Sequence, residues 1–238
     1  MVSVQGQPTV IIGGFLSDPD FYSDMARLVE DLSGRRVYIC NIGLTDWLRA
    51  YSEKGWLSIL LKVKSTVEAA LKAGADRKII LLGHSSGGVI GRLYLSPQPF
   101  LGHRFNGLEH VTHLITLGSP HYGAHSSPMR KYVQRILPDA YFGEHVDYVS
   151  VVGTAVDLRE KSPLRSLASR ICYRYLGGNG RAVGDGLVPV KCALLKDSTH
   201  IVLEGVGHPF LFATNWYGTP KNLGLWWPRI FPPNSRNV

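Results

Sequence analysis

Residues 78–95 read "KIILLGHSSGGVIGRLYL". Ile79 to Leu82 are apolar without alternation, as a strand buried on both faces of a parallel sheet requires. "GGVIGRLYL" continues as a helix, so the glycine-rich segment between them is a strand-to-helix turn. In that turn Gly83-His84-Ser85-Ser86-Gly87 satisfies G-x-S-x-G in one register only, because centring the pattern on Ser86 needs glycine at position 84, where His84 stands. A serine on such a turn stands clear of the backbone, and the flanking glycines let the helix approach closely. As a bare pattern the motif also fits a purely structural turn; the strand before it and the helix after it make Ser85 the candidate nucleophile. Ser86 is expected to lend its backbone N–H to an oxyanion, with its side chain capping the helix or facing solvent.

Working outward, Val10 to Ile12 is a short β-branched run closed by Gly13 and Gly14, and Phe21, Met25, Leu28, Val29 and Leu32 then recur at helical steps up to Gly34. "RRVYICNI" is a second strand, "GWLSILLKVKSTVEAALKAG" a long helix, "VTHLITLGS" a strand after the motif, and "YVSVVGT" and "HIVLEGV" two more. Strands alternating with helices imply a mostly parallel central sheet with helices on both faces, an α/β fold. One domain over residues 1–238 is expected, with cap-like excursions at 120–145 and 155–182, where Pro, Gly, Ser and Arg accumulate.

A serine hydroxyl needs a base to take its proton and an acid to orient that base. His208, in "IVLEGVGHPF", follows the last strand pattern through a glycine-bearing turn and is the expected base. His200 lies at the wrong end of that strand, and His121 and His125 fall in the loop after "TLGSP". Asp185, in the glycine-flanked turn of "AVGDGLVPV", is the expected acid, with Asp157 as its rival. The second oxyanion donor is expected from the loop after the first strand, "VIIGGFLS", where Gly13 and Gly14 turn the chain and leave the Phe15 N–H facing the nucleophile; Leu16 is a substitute donor.

With these pieces placed, the chain resembles the α/β-hydrolase superfamily on its lipase and esterase side. "VIIGGF" resembles the oxyanion strand and turn, "LLGHSSGG" the lipase elbow, "ITLGSPHYGA" the "TLGTPHxG" segment, and "GDGLVPV" with "GVGH" the acid and histidine loops. It is similar to small bacterial triacylglycerol lipases and to lipase-like hydrolases of cyanobacteria and plastids, with GPI-inositol deacylases more distant. The resemblance implies carboxylic ester hydrolysis through an acyl-enzyme, with Ser85 as nucleophile, His208 as base and acid, Asp185 orienting His208, and Phe15 and Ser86 N–H groups on the oxyanion. It departs at Gly13, where relatives usually carry histidine before the oxyanion glycine.

Phe15, Leu16, Tyr22, Tyr122, Leu187 and Val188 adjoin these loops and are candidates to line an acyl groove, or to pack in the core. Residues 126–142 carry Met129, Tyr132, Val133, Ile136 and Leu137 at helical spacing, read either as a lid or as a helix covering the sheet. Acyl transfer to an acceptor other than water uses the same groups, and a catalytically silent binding domain is a third reading, against which the serine, acid and histidine in order all speak.

The chain carries 26 Lys and Arg against 18 Asp and Glu, a net charge of +8, but the basic residues are scattered, and "MRKYVQR" and "LREKSPLRSLASR" read as solvated faces of amphipathic segments. Nucleic acid is not expected as a partner; a small-molecule or lipid ester is. The tail "NWYGTPKNLGLWWPRIFPP" combines tryptophans with Lys221 and Arg229, which suits either transient membrane-surface contact or packing on the domain. Cys40, Cys172 and Cys192 are too few and too widely spaced for a disulfide framework or zinc site, and no cofactor motif is present, so no cofactor is expected. "MVSVQGQPTVIIGG" lacks the features of a secretory signal. The expectation is a soluble intracellular protein, cytoplasmic, or organellar where a leader has been removed.

Overall fold

The computed structural model describes residues 7–73, 77–123, 125–155, 163–177, 182–209 and 214–232. Strands β1 (Thr9–Ile12), β2 (Val37–Ile39), β3 (Ile79–His84), β4 (Val111–Leu117), β5 (Asp147–Thr154) and β6 (Thr199–Glu204) form one sheet in the order β2-β1-β3-β4-β5-β6. Every neighbouring pair is parallel. The mostly parallel sheet read from the sequence is therefore the one observed.

Alternation along each central strand builds two cores. Val10, Ile12, Ile79 and Leu81 face one side of the sheet, and Ile11, Ile80 and Leu82 the other. The first side is covered by α3 (Glu53–Ala73) through Ile59, Leu60, Val63 and Val67, and by α4 (Ser86–Leu95) through Val89, Ile90 and Leu93. Between β2 and α3 lies the short α2 (Leu44–Arg49). The second side is covered by α1 (Ser23–Ser33), which buries Met25 and Val29, and by the C-terminal helix. Gly34 ends α1 in the left-handed region at φ 68, its N–H reaching the Glu30 carbonyl at 2.8 Å.

Both expected excursions contain helix. α5 (Pro128–Ile136), capped by Ser127, buries Met129 and Val133 in the first core and packs against α4. α6 (Pro163–Gly177) occupies the second excursion and leads to the short α7 (Val190–Ala193). Positions 124, 156–162 and 178–181 of these segments lie outside the described residues.

The aromatic tail forms α8 (Pro220–Ile230) and lies on the second face of the sheet. Leu223, Trp226 and Trp227 are buried there, and the Trp226 indole donates to the Tyr217 carbonyl at 3.0 Å. The paired tryptophans are thus core residues, as the reading of a tail packed on the domain has them. Among the described residues no helix is long and apolar enough to cross a membrane. The three cysteines are free thiols, and burial pushes Cys40 up to about 12.

Candidate active site

The carboxyl ends of β1, β3, β5 and β6 converge on one edge of the sheet, where ligands of open α/β sheets bind. β3 delivers Ser85 at φ 51 and ψ −123, outside the conformations that L-residues favour and costing about 1–3 kcal/mol. Three glycines make that turn feasible. A Cβ at Gly83 would meet the Gly88 backbone at 2.5 Å, one at Gly87 would overlap the Ile12 carbonyl, and one at Gly88 would overlap the Ser119 hydroxyl. The Ser85 N–H donates to the Leu117 carbonyl at 2.9 Å, tying the turn to β4. Ser86 opens α4, where a backbone N–H has no intrahelical acceptor and the helix dipole favours negative charge.

His208 follows β6 and is buried with its Nδ1 2.8 Å from Asp185 Oδ2. Its backbone N–H also donates to the Asp185 carbonyl at 2.6 Å. Asp185 is fully buried, and its Oδ1 accepts from the N–H groups of Leu187 at 3.0 Å and Val188 at 2.7 Å. Oδ2 accepts in addition from the Tyr217 hydroxyl at 2.7 Å. A buried carboxylate needs such a shell, because an uncompensated charge in the interior is expensive. Asp185 does not directly follow a strand in the chain: it comes after α6, and the Gly184 carbonyl accepts from Ala155 N–H at 2.8 Å, which docks the loop beyond the end of β5. Asp157, the rival acid, lies outside the described residues.

Gly14 presses against the serine turn so closely that a Cβ there would sit 2.9 Å from both Ser85 Cβ and His84 Nδ1. This brings the loop carrying Phe15 beside Ser85. Gly14, Phe15, Leu16, Ser17, Phe21, Tyr22, His84, Ser85, Leu187, His208 and neighbouring residues enclose a cavity of about 370 Å³. That size is within the range of small-molecule pockets. Its walls are dominated by aromatic and aliphatic side chains, with Ser85 and His208 among the polar residues that line it.

Two expected lining residues sit elsewhere. The Tyr122 hydroxyl donates to Asp139 Oδ1 at 2.6 Å and accepts from Lys196 N–H at 3.0 Å, while Val188 is buried in a small third core with Cys192 and Ala193. Of the other histidines, His121 is buried 3.2 Å from the Thr116 hydroxyl, His125 rests against Tyr175, and His200 reaches the Leu195 carbonyl at 2.7 Å.

Two neighbours of the site carry no signal of their role in the sequence. Tyr217 lies in the tail, yet its hydroxyl joins Asp185 to β5 by accepting from Gly153 N–H at 2.9 Å; burial and the Asp185 charge raise its pKa well above 10. His84, the variable position of the motif, stacks on His208 with ring centroids 4.9 Å apart and bonds the Tyr22 hydroxyl at 2.8 Å. Burial, with the charge of His208, holds His84 well below the usual histidine range.

Residues 8–174 match the family described as palmitoyl protein thioesterase. The match spans β1, the serine turn and β4, and ends before Asp185 and His208. No curated protein matches the chain. Among solved structures, a protein described as a cell surface hydrolase from Lactobacillus plantarum WCFS1 is similar at 14% identity, with a TM-score of 0.52 over 96% of this chain and 92% of that one. A 2-hydroxy-6-oxo-6-phenylhexa-2,4-dienoate hydrolase from Rhodococcus sp. strain RHA1 is similar at 13% identity, with a TM-score of 0.53 over the same shares of the two chains. At these identities the likeness is one of fold, and it agrees with the α/β-hydrolase architecture.

Proposed function

The chain belongs to the palmitoyl protein thioesterase family of the α/β-hydrolase superfamily, and from that premise we propose that it is a serine hydrolase that cleaves apolar acyl thioesters and carboxylic esters through an acyl-enzyme. The observation that carries the reading is the His208–Asp185 pair, 2.8 Å apart and buried, opening with Ser85 onto one apolar cavity. An acyl chain fits walls of this composition, and the family relationship favours a thioester as the linkage.

In this reading His208 takes the Ser85 proton as the hydroxyl oxygen attacks the acyl carbonyl. Asp185 holds Nδ1–H and offsets the positive charge that forms on the ring. The Phe15 and Ser86 N–H groups receive the oxyanion, and collapse of the tetrahedral adduct expels the thiol or alcohol, which takes the proton from His208. Water then attacks the acyl-enzyme with His208 again as base, releasing the acid and restoring Ser85. A thiol leaving group, with a pKa near 8.5, departs more readily than an alcohol and asks less of His208 as acid.

The test is turnover of S-acyl thioesters and p-nitrophenyl esters, acetate to palmitate, by the wild-type protein and Ser85→Ala. The wild type should hydrolyse both and accumulate a mass increase of one acyl group on Ser85, and Ser85→Ala should lose at least about 10³-fold in kcat while remaining folded. Retained turnover in Ser85→Ala removes Ser85 from the mechanism.

A further inference from the structure

A peptide's C=O and N–H point in opposite directions when it is trans. Whatever holds the Gly14 carbonyl therefore also aims the Phe15 N–H at the other end of the same peptide. The Gly14 carbonyl accepts from the Ser17 hydroxyl at 2.6 Å and from the Ser17 N–H at 3.1 Å. With its proton committed there, the Ser17 hydroxyl can only accept from the Tyr22 hydroxyl, 3.1 Å away. Tyr22 is fully buried, and its oxygen also meets Gly14 N–H at 2.7 Å and His84 Nδ1 at 2.8 Å.

These contacts fix where the protons lie. The phenol has one proton and two lone pairs. If it donates to Ser17, its lone pairs receive Gly14 N–H and His84 Nδ1–H, and every donor in the set is satisfied. If it donated to His84 instead, the ring proton would move to Nε2, which is buried without a partner among the described residues. Orphaned buried N–H groups are rare and more costly than an under-used acceptor, so the first order holds. The proton order runs from His84 to Tyr22 to Ser17 to the Gly14 carbonyl, and the Gly14 N–H closes it back on Tyr22. The same two side chains fill the place of any side chain at position 13, since a Cβ on Gly13 would lie 2.8 Å from Tyr22 Cε2 and 2.9 Å from Ser17 Oγ.

We infer that Ser17 and Tyr22 are positioning residues that aim the Phe15 N–H at the oxyanion, supplying from the start of the first crossover the support that no side chain at position 13 can give. The inference rests on the proposed roles of Ser85 and Phe15. Because the negative charge on that oxygen develops on the way to the tetrahedral adduct and is absent from the bound substrate, misaiming its donor lowers kcat and leaves ground-state binding alone.

The experiment compares wild type, Ser17→Ala, Tyr22→Phe, the double variant, Ser17→Thr and Ser85→Ala on one acyl thioester. Ser17→Ala and Tyr22→Phe should each lose about 10- to 100-fold in kcat with KM within about twofold. Affinity for an alkyl trifluoromethyl ketone, which forms a tetrahedral adduct on serine, should fall by the same factor as kcat. The double variant should lose no more than the worse single one, because both act on one carbonyl, and Ser17→Thr should recover most of the activity. Wild-type kcat in both single variants beside an inactive Ser85→Ala overturns the positioning role and leaves the nucleophile in place. A loss in kcat with unchanged affinity for the ketone, or one that tracks a lowered Tm, overturns it as well by marking the effect as packing. An active Ser85→Ala overturns the reading on which the inference stands.

Discussion

Tyr217→Phe isolates what one buried hydroxyl does for the acid. The substitution keeps the ring and removes a single oxygen that makes two bonds, to Asp185 Oδ2 at 2.7 Å and from Gly153 N–H at 2.9 Å. The phenol stays protonated across the working pH range, because burial and Asp185 raise its pKa, so it is always a donor to the carboxylate. Losing a hydrogen bond to a charged group costs about 1.5–3 kcal/mol, and an unsatisfied buried N–H about 1–3 kcal/mol. Asp185 and Tyr217 are both fully buried, so little of this is recovered from solvent, and the two losses overlap to a destabilisation of about 3 kcal/mol. With a urea slope of about 3 kcal/mol per molar for a chain of this size, the unfolding midpoint should fall by about 1 M. Catalysis should suffer less. Asp185 keeps His208 Nδ1 and the N–H groups of Leu187 and Val188, so kcat should drop by no more than about tenfold. A midpoint within about 0.2 M of wild type refutes the reasoning, since it means the hydroxyl bonds carry no net stability.

Two further outcomes follow from burial. Burial holds His84 and His121 well below 6.5, helped by the charges of His208 and Arg92 respectively, and lowers His113 against the opposing effect of Asp147. In the unfolded chain these rings titrate near 6.5 and take up protons the folded protein refuses, so stability is level above that pH and falls below it, by roughly 1 to 2 kcal/mol for each strongly shifted ring between pH 7.5 and 5.5. Urea unfolding at those two pH values should differ by about 3 kcal/mol, and His121→Asn should roughly halve the difference; a flat profile counts against neutral burial of these rings. Trp226→Ala, which empties a fully buried indole site between α8 and the sheet, should cost about 3–5 kcal/mol in the same assay. A loss under about 1 kcal/mol would mean that the tail is not part of the core.

What the sequence made legible was whatever a local rule demands. β3 is apolar at every position between its charged neighbour and Gly83 because both of its faces are covered, and Gly83, Gly87 and Gly88 are glycines because a Cβ at each would strike backbone or Ser119. Side-chain direction beyond these rules was not legible. Tyr122 and Val188 adjoin the right loops but turn into other clusters, since neighbourhood in the chain does not fix which way a loop residue points. α2 inverts the usual pattern, with Trp47 and Asp46 buried and Leu44 and Leu48 exposed, so its periodicity misleads. α8 carries Pro228 inside the helix, a residue that ordinarily signals a break. The Tyr217–Asp185 bond spans 32 positions and the Tyr22–His84 bond 62, and no motif window reaches that far.

The two buried tyrosines share one electrostatic logic. On the proposed mechanism His208 becomes an imidazolium next to the Asp185 carboxylate, and its other close neighbour is the His84 ring at 4.9 Å. A second positive charge at that distance would oppose the first by about 3 kcal/mol at an effective dielectric of about 20, comparable to the loss of an oxyanion donor. The site avoids this by giving His84 a phenol rather than a carboxylate as its partner. A carboxylate would draw a second proton onto the ring, whereas Tyr22, itself pushed up to about 12 by burial, accepts one ring N–H and stays neutral. Tyr217 does the equivalent for Asp185: it adds a donor without adding a charge. One phenol bonds Asp185 and the other bonds the His84 ring that stacks on His208, so on the proposed mechanism neither neighbour adds a charge to the Asp185–His208 couple as the proton returns to the leaving group.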